Sequence, residues 1–169
     1  GDWWDVAWTR RMKVEVDNSK LTGDLPAGFP ILVRLPTNSI DATLNDDGSD
    51  IRFVADDNNT IIAHDLDTFI QNGTSLIWVR MPALSQSGSK PTLWLYHGNP
   101  AAASSADAPA VFADGNVSVH HMGGAFVDVT DHGHAGTANG GGPAPTQNGA
   151  IGPARDFDGT DDHVVLGGQ

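Results

Sequence analysis

The chain has 169 residues, no cysteine and a formal net charge of −12. That length suits one domain or one and a half; the absence of cysteine excludes disulfides and thiolate metal sites, and the charge opposes nucleic acid and anionic lipid as partners. No apolar run approaches the ~20 residues that a bilayer-spanning helix needs, so this segment does not insert into a membrane. No signal peptide is visible, and Gly1-Asp2-Trp3-Trp4 reads as the start left after a targeting segment has been removed.

Glycine and proline together supply 30 residues, which favours many turns and short strands. In residues 10–17, Met12, Val14 and Val16 alternate with Arg11, Lys13, Glu15 and Asp17, the pattern of a strand with one solvated face. Ile31, Val33 and Leu35 form the next inward face, bracketed by Pro30 and Pro36. A strand at 51–54 leads through a hairpin turn at 56–59 into a strand at 61–64. Residues 67–72 carry a weak helical pattern, Asn72-Gly73 signals a turn, and 75–81 is again a strand, linked by residues 85–89 to the next.

Residues 92–100 are the most informative stretch. Trp94 and Tyr96 fall on one face of a strand and Leu93, Leu95 and His97 on the other, and Gly98-Asn99-Pro100 stops it. The core is expected to include Met12, Val14, Val16, Ile31, Val33, Phe53, Trp78, Trp94 and Leu95. Residues 101–109 read as a linker or surface crossover. Beyond them, 117–122 is strand-like, 128–136 is a polar loop, 139–149 is nearly all Gly, Pro, Ala and Asn, and 154–166 reads as strand, tight turn at Asp158-Gly159, strand. The first 110 residues read as an antiparallel β-sandwich or partly closed barrel, and the expected fold class is all-β, an antiparallel jelly-roll-like β-sandwich over residues 1–113 followed by a partial second β-segment over 114–169.

Five blocks carry a resemblance. They are Trp3-Trp4 with Trp8 and Arg10-Arg11, then Phe29 to Leu35, Asp47 to Phe53, Ile77 to Pro82, and Leu95 to Pro100. In order and spacing, residues 3–113 resemble the bacterial and archaeal family known as domain of unknown function 2341; His97 stands where that family usually has a second tyrosine. The segments 119–122, 131–136 and 156–164 resemble the opening of a concanavalin A-like, laminin-G-like jelly roll, with His120 in place of the usual tryptophan. The resemblance implies an extracytoplasmic setting, periplasmic or at the cell surface, in surface proteins or ahead of TolQ/ExbB-type proton-channel segments. The strands of residues 114–169 are too few to form a sandwich alone, so this segment is expected to pack on the first domain or on a neighbouring chain, or to be completed by the missing remainder of the jelly roll.

Four groups of side chains are candidates for chemistry. Trp3, Trp4 and Trp8 could form a stacking platform for sugar rings, or could close the bottom of the sandwich. Asp46, Asp47 and Asp50, in an acidic loop around Gly48, could hold calcium, although the spacing is not that of an EF-hand; the plainer reading is a solvated turn. Asp156, Asp158, Asp161 and Asp162 form a second acidic group on a structural hairpin with Phe157 in the core. His120, His121, His132, His134 and Asp131 match no known closed zinc site. Glu15 is the single glutamate, on a solvated face, so a pair of positioned carboxylates is not evident and no catalytic residue is expected. The expectation is a non-catalytic extracytoplasmic binding module for glycan or another surface polymer. The alternatives are a structural spacer of a TolQ/ExbB-type envelope protein and a fragment of a polysaccharide-active enzyme.

Overall fold

Alternating apolar residues make seven of the segments of residues 1–114 into strands, and the alternation decides which face each buries. The computed structural model describes residues 3–40, 45–86, 90–147 and 149–168. It divides into two units, Gly1–Asp114 and Gly115–Gln169.

The first unit contains β1 (Arg10–Glu15), β2 (Pro30–Leu35), β3 (Arg52–Ala55), β4 (Ile61–Ile62), β5 (His64–Thr68), β6 (Ser75–Arg80), β7 (Thr92–His97) and α1 (Ala108–Val111). One sheet has the order β1-β7-β3-β4 and the other β2-β6-β5, every pairing antiparallel. The two share one core of Val33 and Leu35, Ile51 and Phe53, Ile62, Ile77 and Val79, and Leu93 and Leu95. Met12, Val14, Val16 and Ile31 pack against it half-buried. The chain passes from the first sheet to the second at Ala63, between β4 and β5.

The β3–β4 hairpin turns through Asn58 at φ 54°, and β5 joins β6 through Asn72 at φ 57°, both in the left-handed region that asparagine tolerates. Residues 67–72 are not helical. β5 runs through Thr68, with Asp65 and Leu66 in register with Trp78 and Ile77, so sheet pairing overrides a weak local preference. Trp78 lies outside the core. It donates from Nε1 to Asp67 at 3.2 Å and meets Phe112 edge-on at 6.0 Å, on the outer face of the second sheet.

The segment expected to be a linker ends in α1, which lies against β5 and β6. Asp107 caps it by accepting the Ala110 N–H at 3.0 Å, while its own N–H reaches the His64 carbonyl at 2.8 Å. Val111 and Phe112 are buried.

In the second unit, β8 (Gly136–Asn139) pairs with β11 (His163–Leu166), and β9 (Ala144–Thr146) with β10 (Ala154–Asp156). The two ribbons are nested, the inner hairpin lying within the outer in sequence. Three expectations are corrected. The Asp158-Gly159 turn joins β10 to β11, but each of these strands pairs elsewhere. Residues 117–122 form no strand, and Met122 has a φ of 64°, which breaks extended pairing. Phe157 is exposed rather than in the core.

Asp128 organises the loop before β8. Its carboxylate accepts N–H bonds from Val119 (3.1 Å), Thr130 (3.0 Å) and His134 (2.9 Å), and the Thr130 hydroxyl at 2.8 Å. Burial alone would raise its pKa; these bonds outweigh burial and hold the carboxyl well below its ordinary range.

Candidate functional site

The outward residues of β1 and β7 carry an aromatic layer on the solvent side of the first sheet. Arg11 is in register with Tyr96, and Lys13 with Trp94. The chain before β1 folds back over this face, so that Trp8, Val54 and Tyr96 form a second buried cluster flanked by Trp4, Trp94 and Ala102. Trp4 lies 4.9 Å from Trp8 and 5.6 Å from Tyr96, and Trp3 meets Tyr96 edge-on at 5.3 Å. Hydrogen bonds lock the layer. The Trp3 indole N–H donates to the Trp8 carbonyl at 2.8 Å, the Trp4 amide to the Tyr96 hydroxyl at 3.0 Å, and the Trp8 indole to the Asp50 carbonyl at 2.6 Å.

Arg11 is the centre of the exposed part. Its guanidinium carbon lies 4.1 Å from the Trp94 ring centre, 4.7 Å from Trp3 and 5.8 Å from Tyr96. Nη1 donates to the Tyr96 hydroxyl at 2.9 Å and to Asn58 Oδ1 at 3.1 Å. A second arginine supports the layer from beneath. Arg52 lies 5.0 Å from the Trp8 ring and donates to the carbonyls of Ser49, Ile51 and Ala103. Burial lowers the Arg52 pKa, and Asp50 opposes that shift.

The three tryptophans singled out from the sequence therefore sit together, but not equivalently. Trp3 is 39% exposed, Trp4 is half-buried and Trp8 is 8% exposed. They do not close the bottom of the sandwich; they cover the outer face of one sheet. Arg11, Trp94, Tyr96 and Asn58 join them and were missed as site residues. Alternation alone places Arg11 on a solvated face, which is right for the direction of its side chain and does not reveal the rings laid over it. The cross-strand pairing of Arg11 with Tyr96 is the signal that could have found it.

The acidic loop does not gather Asp46, Asp47 and Asp50 around a point. The Asp50 side chain turns inward, where Oδ1 accepts the Asn45 N–H at 2.9 Å and Oδ2 the N–H groups of Gly98 at 2.5 Å and Asn99 at 3.2 Å. Asp47 accepts the Ser49 N–H at 2.9 Å, which lowers its pKa, and Asp46 is exposed. Three backbone donors, that of Gly98 fully buried, take up three of the roughly four lone-pair sites of the Asp50 carboxylate, so little of its capacity is left for calcium.

Among the described residues, one set of three acids or histidines brings ligand atoms within 4.8 Å of one another: Asp158, Asp161 and Asp162, largely exposed. Asp158 already accepts the Thr160 N–H at 2.8 Å. The histidines do not converge in this way. The His132 and His134 rings are 6.1 Å apart, His134 Nδ1 lies 3.4 Å from Asp128 Oδ2, and His120 Nε2 bonds the Ser118 hydroxyl at 2.7 Å. Glu15 is paired with Lys13 at 2.6 Å.

Among the described residues no helix is long and apolar enough to cross a membrane. No curated protein and no solved structure matches the chain. Three of the five blocks quoted from the sequence, at 47–53, 77–82 and 95–100, lie in the part of the first unit that runs from the Asp50 loop through β3 to β7 and α1. Residues 47–116, all but the last two of them in that part, match the model of the family described as Domain of unknown function (DUF2341).

Proposed function

We propose that the first unit is a non-catalytic binding module for a glycan or similar surface polymer, and that its ligand surface is the outer face of the β1-β7-β3-β4 sheet. The supporting observation is the stack of Trp3, Arg11 and Trp94 on that face, with Trp3 open to solvent. Sugar rings present apolar C–H faces that pack on indole, and neighbouring guanidinium and amide groups supply hydrogen bonds to hydroxyls. The rings are held by the sandwich and by three hydrogen bonds, so little ordering is needed on binding. The net charge of −12 favours a neutral polymer over a polyanion. The module belongs, on this reading, to the extracytoplasmic part of a larger secreted or membrane-anchored protein.

A structural spacer is the second reading, and a specific observation favours it: Trp8 is buried and the Trp4 amide is anchored, so much of the layer serves the fold. Titration of tryptophan fluorescence with a neutral β-linked hexasaccharide series separates the two. A binding module gives a saturable change that Trp3→Ala abolishes without loss of fold. A spacer gives no response to any member of the series.

A further inference from the structure

A second feature of the first unit lies at the other edge of the same sheet, apart from the aromatic layer. β4 is the edge strand of the β1-β7-β3-β4 sheet. The Ala55 N–H bonds the Thr60 carbonyl at 2.9 Å, and Phe53 is in register with Ile62. Bonded and non-bonded pairs alternate along an antiparallel ladder, so the intervening Val54–Ile61 pair is non-bonded. The Ile61 N–H and carbonyl are thereby directed away from β3, toward the free edge. The Ile61 side chain is 54% exposed.

Beside this edge is a cavity of about 550 Å³, within the size range of ligand sites. Ile61, Ile62, Ala63 and Met81 give it apolar walls, and Asp56 and Asp57 stand at its rim. The Asp57 carboxylate is held by the Asn59 and Thr60 amides and the Thr60 hydroxyl, which lower its pKa and keep it charged. Asp56 is exposed in the same turn. The one cation lining the cavity, Arg80, bonds the Ala110 carbonyl at 2.8 Å and the Asp114 carboxylate at 2.5 Å, so its charge is matched locally.

We infer that this cleft receives an extended, basic segment of a partner protein, added as a further strand along β4. Its backbone pairs with Ile61, an apolar side chain enters the cavity, and a lysine or arginine reaches Asp56 and Asp57. Strand addition draws affinity from main-chain bonds and specificity from alternate side chains, which is what a free edge beside a pocket offers. Charge selects the occupant: the chain carries −12 and Asp56 and Asp57 are among the residues lining the cleft, so a second copy of this chain is repelled where a basic partner is attracted.

The test uses the intact chain and a fluorescein-labelled heptapeptide alternating lysine and valine, read by anisotropy. Saturable binding in the micromolar range is expected, weakened about tenfold or more by Ile61→Pro and by Asp56→Lys. Proline is tolerated where an edge N–H faces solvent, so the first variant removes the donor and keeps the strand; circular dichroism checks this. Should Ile61→Pro not fold, Asp56→Lys, in an exposed turn, carries the test through loss of affinity and of its salt dependence. Absence of saturable binding overturns the inference, as does equal binding of a heptapeptide with glutamate in place of lysine. Unchanged affinity in folded Ile61→Pro also overturns it. So does a concentration-dependent dimer, seen by sedimentation and lost in Ile61→Pro, which would assign the edge to a second copy.

Discussion

The Trp8 indole N–H donates to the Asp50 carbonyl at 2.6 Å, while the Asp50 carboxylate takes the Gly98 N–H at 2.5 Å. One residue thus ties the N-terminal aromatic segment to the turn that ends β7. Gly98 makes that turn at φ 85°, where a side chain would be strained, and this explains the Gly-Asn-Pro stop at the end of β7.

Asp50→Ala leaves three backbone N–H groups without their acceptor. We expect a loss of about 2 kcal/mol or more in urea unfolding, because a buried donor left unmade, here that of Gly98, costs roughly 1–3 kcal/mol and the two part-buried donors add less. Asp50→Asn keeps an acceptor and should cost clearly less. Because Asp50 is already committed, calcium or a chelator should leave the melting temperature of the Asp46→Asn, Asp47→Asn double variant displaced no differently from that of the parent.

Arg11→Ala removes a cation set against three rings and two hydrogen-bond acceptors. A cost of about 1–2 kcal/mol is expected, with a shift in tryptophan emission as Trp3 and Trp94 lose their neighbour. Arg11→Lys should recover only part of this, since a point charge cannot stack as a planar guanidinium does. An unchanged emission spectrum in Arg11→Ala would contradict the stack.

His64 is buried against Phe53. Desolvation, with the nearby Arg52 charge, lowers its pKa from an ordinary 6.5 to about 4. The unfolded chain therefore binds a proton between these values that the folded chain refuses. Stability from this residue is intact above pH 6.5 and is lost as pH falls toward 4, by up to about 3 kcal/mol. His64→Leu should flatten the difference in unfolding free energy between pH 6.5 and 4. A slope identical to that of the parent would place the acid sensitivity elsewhere.

In the second unit, Asp128→Ala should speed hydrogen exchange at the Val119, Thr130 and His134 amides together, since one carboxylate holds all three. Exchange accelerated at Thr130 alone would mean that the other two bonds do not persist in solution.

Much of the first unit was legible from alternation. Leu93 and Leu95 are core and Trp94 and Tyr96 are outward, as period two requires, and Asn58 and Asn72 turn where asparagine marked the hairpins. Trp78 and Trp94 were expected in the core and lie outside it, Trp94 half-buried on the outer face beside Trp8 and Tyr96, because alternation fixes the face but not what covers it; over Trp78 the cover comes from Phe112, just beyond a segment that reads as a linker or surface crossover. The second unit was less legible. Its ribbons pair by nesting, β8 with β11 across the β9–β10 hairpin, and local turn signals specify only adjacent strands. The site was half legible: the tryptophans announced an aromatic cluster, but the role of Arg11 exists only once β1 and β7 are in register.

The most direct measurement is a glycan array probed with the intact chain and, in parallel, with Trp3→Ala and Trp94→Ala, each first shown to be folded by thermal melting. The account predicts that the parent binds a defined set of neutral glycans and that both variants lose them while melting as cooperative, folded chains. Binding that survives both substitutions, or no binding by the parent to any glycan, would contradict a sugar platform on this face.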